Sequence, residues 1–140
     1  MAVIGLDVGG TKIEIALIKD NLITFKHRAP TERHKGYMHI VSVITGLIRT
    51  ALQETQLQLA EISGIGLGLP GSVDPNSMKM INGNTQAFIE KDLIGDIKKE
   101  LNTDIQIKCA NDANCFALAE AVLGVGKKYP HDAIGVGIII

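Results

Sequence analysis

The stretch GLDVGGTKIE, residues 5–14, decides the fold, because it places a glycine turn between two segments that read as strands. The apolar run Val3–Asp7 leads into the glycines, and Ile13–Ile18 follows them with partly alternating apolar residues. Such runs, bounded by turn residues, are typical of buried β-strands. The stretch therefore predicts a β-turn-β corner.

Two common nucleotide-binding motifs do not fit this corner. A Walker A loop ends in Lys followed by Ser or Thr and opens a helix, whereas here Thr11 precedes Lys12 and a strand follows. The G-x-G-x-x-G fingerprint of dinucleotide-binding folds is absent as well. Gly9 and Gly10 would let backbone N–H groups approach an anion, and Thr11 would add a hydroxyl donor. Asp7 suits hydrated Mg²⁺ better than phosphate. A plain glycine hairpin is the alternative interpretation.

The rest of the chain alternates strand-like and helix-like segments. Leu22–Arg28 predicts a third strand, and apolar residues recur at helical spacing from Gly36 to Glu54. A polar loop is predicted from Ser72 to about Gln86. Further strands are predicted at Ile62–Leu69, Asp104–Cys109 and Ala133–Ile140, and further helices at Asp92–Leu101 and Asn111–Leu123. The order β-β-β-α-β-α-β-α-β predicts an α/β fold with a mostly parallel sheet and an antiparallel hairpin at its start.

Composition argues against several classes of function. The 140 residues match one ordinary domain, with 46% hydrophobic and 21% charged residues. A net charge of -1, 4% aromatic residues and no Trp argue against a nucleic-acid partner or an anionic membrane surface. The 2 Cys are too few for a disulfide framework, and we find no signal peptide or membrane-spanning run. We therefore expect a cytoplasmic protein.

Two further segments place polar residues where predicted strands end. GLGLPGSVDP, residues 66–75, puts Pro70-Gly71 after a buried strand, at the side of a parallel sheet where ligands bind; an ordinary turn is the alternative. CANDANCFALAEA, residues 109–121, puts Asn111, Asp112 and Asn114 between a strand and a helix. A helix N-cap explains one of these three. The others suit the hydroxyls of a polyol, and a carboxylate there suits a general base.

Three segments together, GLDVGGTK, GLGLPGSVDP and ANDANCFALAEA, resemble the ROK family of bacterial sugar kinases and repressors. The string NDANCFALAEA is most similar to its fructokinase and N-acetylglucosamine kinase branch. The resemblance covers essentially the whole chain. It implies the N-terminal lobe of an actin-like ATPase (ribonuclease H-like) fold, with a mixed sheet, an early β-hairpin and flanking helices. Residues 1–131 would form this lobe, and residues 132–140 would be the first strand of an otherwise missing C-terminal lobe.

The resemblance also implies roles for individual residues. Asp112 falls on the catalytic base, which takes the proton of the sugar hydroxyl that attacks the γ-phosphate of Mg-ATP. No residue of this chain is implied as a direct metal ligand, although Asp7 would reach Mg²⁺ through water. The phosphate and Mg-ATP contacts fall on Asp7, Gly9, Gly10, Thr11 and Lys12. The sugar contacts fall on Pro70, Gly71, Ser72, Asn82, Asn84, Asn111 and Asp112.

The implied function is the N-terminal half of an ATP-dependent kinase for a hexose of the fructose, glucose or N-acetylglucosamine type. ATP and Mg²⁺ would be its cofactors, and a structural zinc would belong only to the missing lobe. The implied partners are a small-molecule sugar and ATP, with no nucleic acid or membrane, and a homodimer in the full-length protein. We expect this chain alone to be inactive, because half of the ATP clamp would lie in the missing lobe.

Two alternatives remain open: the sugar-sensing domain of a ROK-type transcriptional regulator, and a non-catalytic sugar-binding lobe. The family's repressors carry a winged helix ahead of the first phosphate loop, whereas this chain starts directly on the first predicted strand. That start and the intact Asp112 favour the kinase. The segment AFIEKDLIGDI, residues 87–97, is shorter than the family pattern and lacks its Pro, which leaves the preferred sugar open.

Overall fold

The computed structural model describes residues 1–74, 76–77, 79–83 and 86–111. Within these residues the chain forms seven β-strands and two α-helices, with short 3-10 helices at Arg33–Lys35, Leu59–Glu61 and Gln86–Phe88. The strands are β1 (Ala2–Val8), β2 (Lys12–Lys19), β3 (Leu22–Pro30), β4 (Ile62–Leu69), β5 (Gly71–Val73), β6 (Met80–Gly83) and β7 (Ile107–Asn111). The helices are α1 (Tyr37–Thr55) and α2 (Leu93–Leu101).

Five of the strands form one mixed sheet in the order β3-β2-β1-β4-β7. The chain first folds β1, β2 and β3 into an antiparallel meander, as the short turns between them dictate. β4 then pairs parallel to β1, and β7 pairs parallel to β4. Parallel neighbours need a crossover connection, and α1 and α2 lie in the two connections. The predicted mixed sheet with an early hairpin is confirmed.

The core lies between this sheet and the two helices. Alternate residues of β1 and β2 are buried, as the period-2 pattern predicts. On α1 the buried side chains recur at helical spacing, and this helix packs against β2, β3 and α2. The largest fully buried side chains include Ile4, Ile13, Ile15, Leu17, Ile40, Ile44, Ile48 and Phe88. Among the described residues, no helix combines the length and the hydropathy that crossing a membrane would take.

The helix boundaries agree with their sequence signals. α1 begins after Gly36, whose φ of 94° lies in the left-handed region that favours glycine. α2 begins after Asp92, whose side chain accepts a 2.9 Å hydrogen bond from the Gly95 N–H, as an N-cap residue does. It ends at Leu101, and the next residue, Asn102, has the left-handed conformation that terminates many helices.

The structure departs from the sequence-based elements at two places. The segment predicted as a polar loop from Ser72 contains the two-stranded antiparallel sheet of β5 and β6. The connection between these strands is held by Asp74, whose Oδ1 accepts hydrogen bonds of 2.7 Å from Asn76 N and 3.2 Å from Ser77 N. The strand β7 runs to Asn111, which the sequence predicts as the first residue of a helix. The rest of the helix predicted there, and the strand predicted at Ala133–Ile140, lie outside the described residues.

Candidate functional site

The candidate site follows the carboxyl ends of the three parallel strands, which meet at one edge of the sheet. Asp7 of β1 lies opposite Gly68 of β4, and Leu69 of β4 lies opposite Asn111 of β7. The described parts of the three sequence segments singled out above therefore converge here, although they are far apart in the chain. This carboxyl edge is where open sheets with parallel strands bind ligands.

The glycine turn between β1 and β2 closes on itself through its backbone. The Gly9 N–H donates a 2.9 Å hydrogen bond to the Lys12 carbonyl oxygen. A Cβ atom on Gly9 would lie 2.9 Å from that same oxygen, closer than a side-chain carbon tolerates. Glycine is therefore required at this position by the close approach of the Lys12 carbonyl oxygen. The predicted turn is present, with Gly10 and Thr11 at its tip.

Lys12 and Glu14 project from the same face of β2 as an ion pair. Their side chains approach to 3.2 Å between Lys12 Nζ and Glu14 Oε1. A hydrogen bond from Lys12, followed by its charge, lowers the pKa of Glu14, which stays ionised at neutral pH. Asp7 lies directly opposite Glu14 in the β1–β2 ladder. Like charges in opposed positions destabilise a sheet, and the Lys12 ammonium offsets this repulsion.

These carboxylates fit a hydrated cation better than a fully protein-bound one. Asp7 and Glu14 offer oxygen atoms, the ligand type that Mg²⁺ takes while retaining several waters. In the part of the chain that the structure describes, no group of three or more His, Cys, Asp or Glu side chains is arranged to hold a metal ion. A cation at this edge would therefore depend on water or on a bound phosphate for the rest of its ligands.

Thr31 is a contact of the glycine turn that the sequence patterns did not single out. It follows β3 directly and is fully buried. Its hydroxyl donates a 2.7 Å hydrogen bond to the Gly9 carbonyl oxygen, and its backbone N–H donates a 2.9 Å bond to the Thr11 carbonyl oxygen. The signal in the sequence is a Thr after Pro30, which is too common to attract attention alone.

On the neighbouring strands, the polar segments are joined by a side chain. The Asn111 side-chain amide donates a 3.1 Å hydrogen bond to the Gly71 carbonyl oxygen. Pro70 links β4 to β5, and Ser72 pairs through β5 with Asn82 of β6. The structure thus brings together the backbone of five predicted sugar-contact positions: Pro70, Gly71, Ser72, Asn82 and Asn111. The other two, Asn84 and the predicted base Asp112, lie outside the described residues.

Comparison with known proteins connects this arrangement to one family. The family model described as the ROK family matches residues 3–138. The N-acetyl-D-glucosamine kinase of Pasteurella multocida is 35% identical over 127 residues, a match that covers 90% of this chain and 40% of that protein. The chain thus spans about 40% of the length of that curated relative.

Solved structures agree with the family match. The ROK hexokinase of Thermus thermophilus superposes with a TM-score of 0.76 and 27% identity, over 88% of this chain and 39% of that one. A ROK family glucokinase from Streptomyces griseus, solved with glucose and AMPPNP, superposes with a TM-score of 0.75. It shares 22% identity, over 90% of this chain and 38% of its own. The described sheet and helices have the actin-like ATPase fold of these proteins, in agreement with the predicted N-terminal lobe.

Proposed function

Because this chain belongs to the ROK family, we propose that it is the N-terminal lobe of an ATP-dependent sugar kinase. In this proposal residues 1–131 form the lobe, and residues 132–140 are the first strand of a C-terminal lobe. The observation that carries the proposal is the convergence at one sheet edge of the glycine turn at Gly9 and the Asn111–Gly71 contact. A phosphate donor and a polyol acceptor must meet in such a place for phosphoryl transfer.

The glycine turn suits the phosphates of ATP. The close backbone at Gly9 leaves no room for a side chain there, and turns of this kind present N–H groups to anions. Lys12 supplies a positive charge beside the turn, and a bound phosphate would compete with Glu14 for its ammonium group. In the proposal, Asp7, Gly9, Gly10, Thr11 and Lys12 contact the phosphates or the hydration shell of Mg²⁺.

The other side of the edge suits a sugar. Side-chain amides such as that of Asn111 offer both donors and acceptors, which match sugar hydroxyl groups. In the proposal, Pro70, Gly71 and Ser72 line the sugar, together with Asn82, Asn84 and Asn111. A hexose of the glucose, fructose or N-acetylglucosamine type is the proposed substrate class, since the N-acetyl-D-glucosamine kinase is among the relatives.

Asp112 is the proposed catalytic base, because it follows Asn111 directly at the end of β7. A carboxylate within hydrogen-bond reach of the attacking hydroxyl takes its proton as the oxygen bonds to the γ-phosphate, while ADP leaves. Mg²⁺, when bound, would neutralise charge on the phosphate oxygens. The carboxylate oxygens of Asp7 would contact this ion through a water molecule.

The remaining parts of the proposal concern the whole protein. We expect a cytoplasmic enzyme that forms a homodimer, binds neither nucleic acid nor membrane, and uses ATP and Mg²⁺ as cofactors. The chain covers 40% of the relative from Pasteurella multocida, so this activity would require a second lobe to complete the ATP site. On its own, the 140-residue chain is expected to show no turnover.

The experiment that tests the proposal measures sugar-dependent ADP release by the full-length protein that contains this chain, with glucose, fructose, mannose and N-acetylglucosamine. The decisive variant is Asp112→Asn, with Asp104→Asn, an exposed aspartate of the same region, as the matched control. General-base catalysis is worth roughly 10²–10⁴ in rate, so Asp112→Asn should lose at least that lower factor. A loss below about tenfold would exclude the base role. Sugar binding without turnover would favour the regulator or the non-catalytic lobe.

A further inference from the structure

Thr31 is placed to control the shape of the glycine turn. Among the polar side chains that the structure describes as buried, Thr31 and Thr45 are both 0% exposed. The Thr45 hydroxyl donates a 3.2 Å hydrogen bond to the Ser42 carbonyl oxygen, which is a local contact within α1. The Thr31 hydroxyl instead reaches 22 residues back along the chain, to the Gly9 carbonyl. The two residues are chemically alike, but only Thr31 joins β3 to the turn.

The two hydrogen bonds from Thr31 fix two peptide groups of the turn. In a trans peptide, the C=O and N–H bonds point to opposite sides. Because the Gly9 carbonyl points to the Thr31 hydroxyl, the Gly10 N–H of the same peptide points away from Thr31. Because the Thr11 carbonyl accepts from the Thr31 N–H, the Lys12 N–H likewise points to the opposite side. Thr31 therefore sets the directions of both N–H groups.

Pro30, the residue before Thr31, explains why Thr31 makes both contacts with the turn. Pro30 lies opposite Lys12 in the β2–β3 ladder and has no N–H to donate. The next N–H group along the chain belongs to Thr31, and its side chain adds a second donor at the same point. Burial of Thr31 strengthens this attachment, since its fully buried hydroxyl would have no water to replace the Gly9 carbonyl if that hydrogen bond were lost.

We propose that Thr31 is a positioning residue for the phosphate donor, which holds the Gly10 amide in the direction needed to bind a phosphate oxygen. This inference rests on the proposed kinase function but concerns a residue to which that function assigns no role. The Thr31 side chain is 0% exposed, so in this proposal it acts through the turn and not by contact with the nucleotide. Its effect should therefore appear in the affinity for ATP and leave the affinity for the sugar unchanged.

The test compares Thr31→Val, which removes the hydroxyl at nearly constant size, with Thr31→Ser, which keeps it. Thr45→Val is the matched control, because it removes an equally buried hydroxyl whose hydrogen bond lies within α1. Each variant is made in the full-length protein, and the KM values for ATP and sugar, the Kd for ADP by calorimetry, and the Tm are measured. Thr31→Val should raise the KM for ATP and the Kd for ADP by roughly 3- to 10-fold, the effect of one hydrogen bond.

Three comparisons decide the outcome. The sugar KM of Thr31→Val should stay within twofold of wild type, Thr31→Ser should restore nucleotide affinity, and Thr45→Val should lower Tm alone. Equal changes in both substrates, or unchanged nucleotide affinity in Thr31→Val, would overturn the positioning role while leaving the kinase proposal intact. If Thr31→Val does not fold, Thr31→Cys, with its weak thiol donor, replaces it, and a smaller loss of nucleotide affinity is expected.

The two proposals fail in different ways. Nucleotide binding without sugar-dependent turnover in wild type would overturn the kinase function, and the Kd values for ADP would still decide the role of Thr31. Absence of nucleotide binding in wild type would overturn the role of Thr31 as well.

Discussion

The side-chain amide of Asn111 donates a 3.1 Å hydrogen bond to the carbonyl oxygen of Gly71, across 40 residues of sequence. The contact joins the end of β7 to the start of β5, and thereby joins two of the segments that the sequence marks for sugar binding. A donor is needed at this position, because a carbonyl oxygen only accepts hydrogen bonds.

Asn111→Asp should therefore weaken sugar binding. The carboxylate cannot donate to the Gly71 carbonyl, and its charge repels that oxygen, so the β5 segment should shift. We expect the KM for sugar in the full-length protein to rise by about tenfold, because one hydrogen bond is lost and a charge is placed beside a carbonyl oxygen. The KM for ATP should stay nearly unchanged. Lys108→Gln, an exposed change on the same strand, is the control. Similar losses for both substrates would point to a general loss of structure.

Gly9→Ala should distort the glycine turn. The new methyl group would lie 2.9 Å from the Lys12 carbonyl oxygen, so the hydrogen bond that closes the turn must lengthen. We expect a loss of about 1–3 kcal/mol in the free energy of unfolding, measured by urea titration, and a loss of ADP affinity. Gly5→Ala on β1, the strand that leads into the turn, is the control, because a Cβ atom there meets nothing within 4 Å. Equal effects of the two changes would contradict this explanation.

Gly46→Ala should stabilise the protein. Gly46 lies inside α1, and a Cβ atom added there would meet nothing within 4 Å. Alanine is favoured over glycine in a helix interior by about 0.5–1 kcal/mol, because it loses less backbone freedom on folding. Urea titration should show this gain. Gly36→Ala gives the opposite expectation, since its φ of 94° strains any residue with a Cβ atom. A destabilised Gly46→Ala would show that α1 requires the glycine for another reason.

Tyr37 of α1 is joined to Asp96 of α2 and should make the free energy of unfolding fall as the pH rises into the alkaline range. Its hydroxyl donates a 2.6 Å hydrogen bond to the Asp96 carboxylate, and its ring packs edge-on against Phe88. Burial, followed by the hydrogen bond to Asp96 and the charge of that group, raises the pKa of Tyr37 above its ordinary value of 10.0. The neutral phenol therefore stabilises the fold below about pH 10, and this contribution is lost as the pH rises further.

The variant Tyr37→Phe isolates this effect. At pH 7 it should lower the free energy of unfolding by about 1 kcal/mol, because it removes a partly exposed hydrogen bond to a charged group. Between pH 9 and 11, wild type should lose more stability than Tyr37→Phe. Parallel pH profiles would show that the Tyr37 hydroxyl contributes nothing to the alkaline transition.

The fold could be predicted from the sequence wherever apolar residues recur with strand or helix periodicity over a long segment. The strands β1 and β2 and both α-helices are predicted within a few residues, since each buries one face against the same core. The strand β3 is mostly exposed, and its limits follow from the turn residues Asp20-Asn21 before it and from Pro30 at its end. The β5–β6 pair was missed because strands of 3 and 4 residues are too short to show a period. Sequence patterns describe neighbours along the chain, and β5 is held by its partner strand.

The candidate site was predictable in its residue types and less so in its contacts. Gly9 was identified because a tight turn needs glycine, and Asn111 because polar residues gather where the strand ends. Neither the bond from Asn111 to Gly71 nor that from Thr31 to Gly9 has a local signature, because each spans 40 or 22 residues. Such contacts depend on the strand register, which only the folded sheet defines.

The strand order also predicts which half of the site forms first during refolding. The glycine turn belongs to the antiparallel β1–β2–β3 meander, whose pairings are local, whereas the contact between Asn111 and Gly71 depends on the parallel β4–β7 pairing between distant segments. Local pairings close small loops and form early, while distant ones are slow. The glycine turn should thus gain protection from hydrogen exchange first, and the contact between Asn111 and Gly71 should form last.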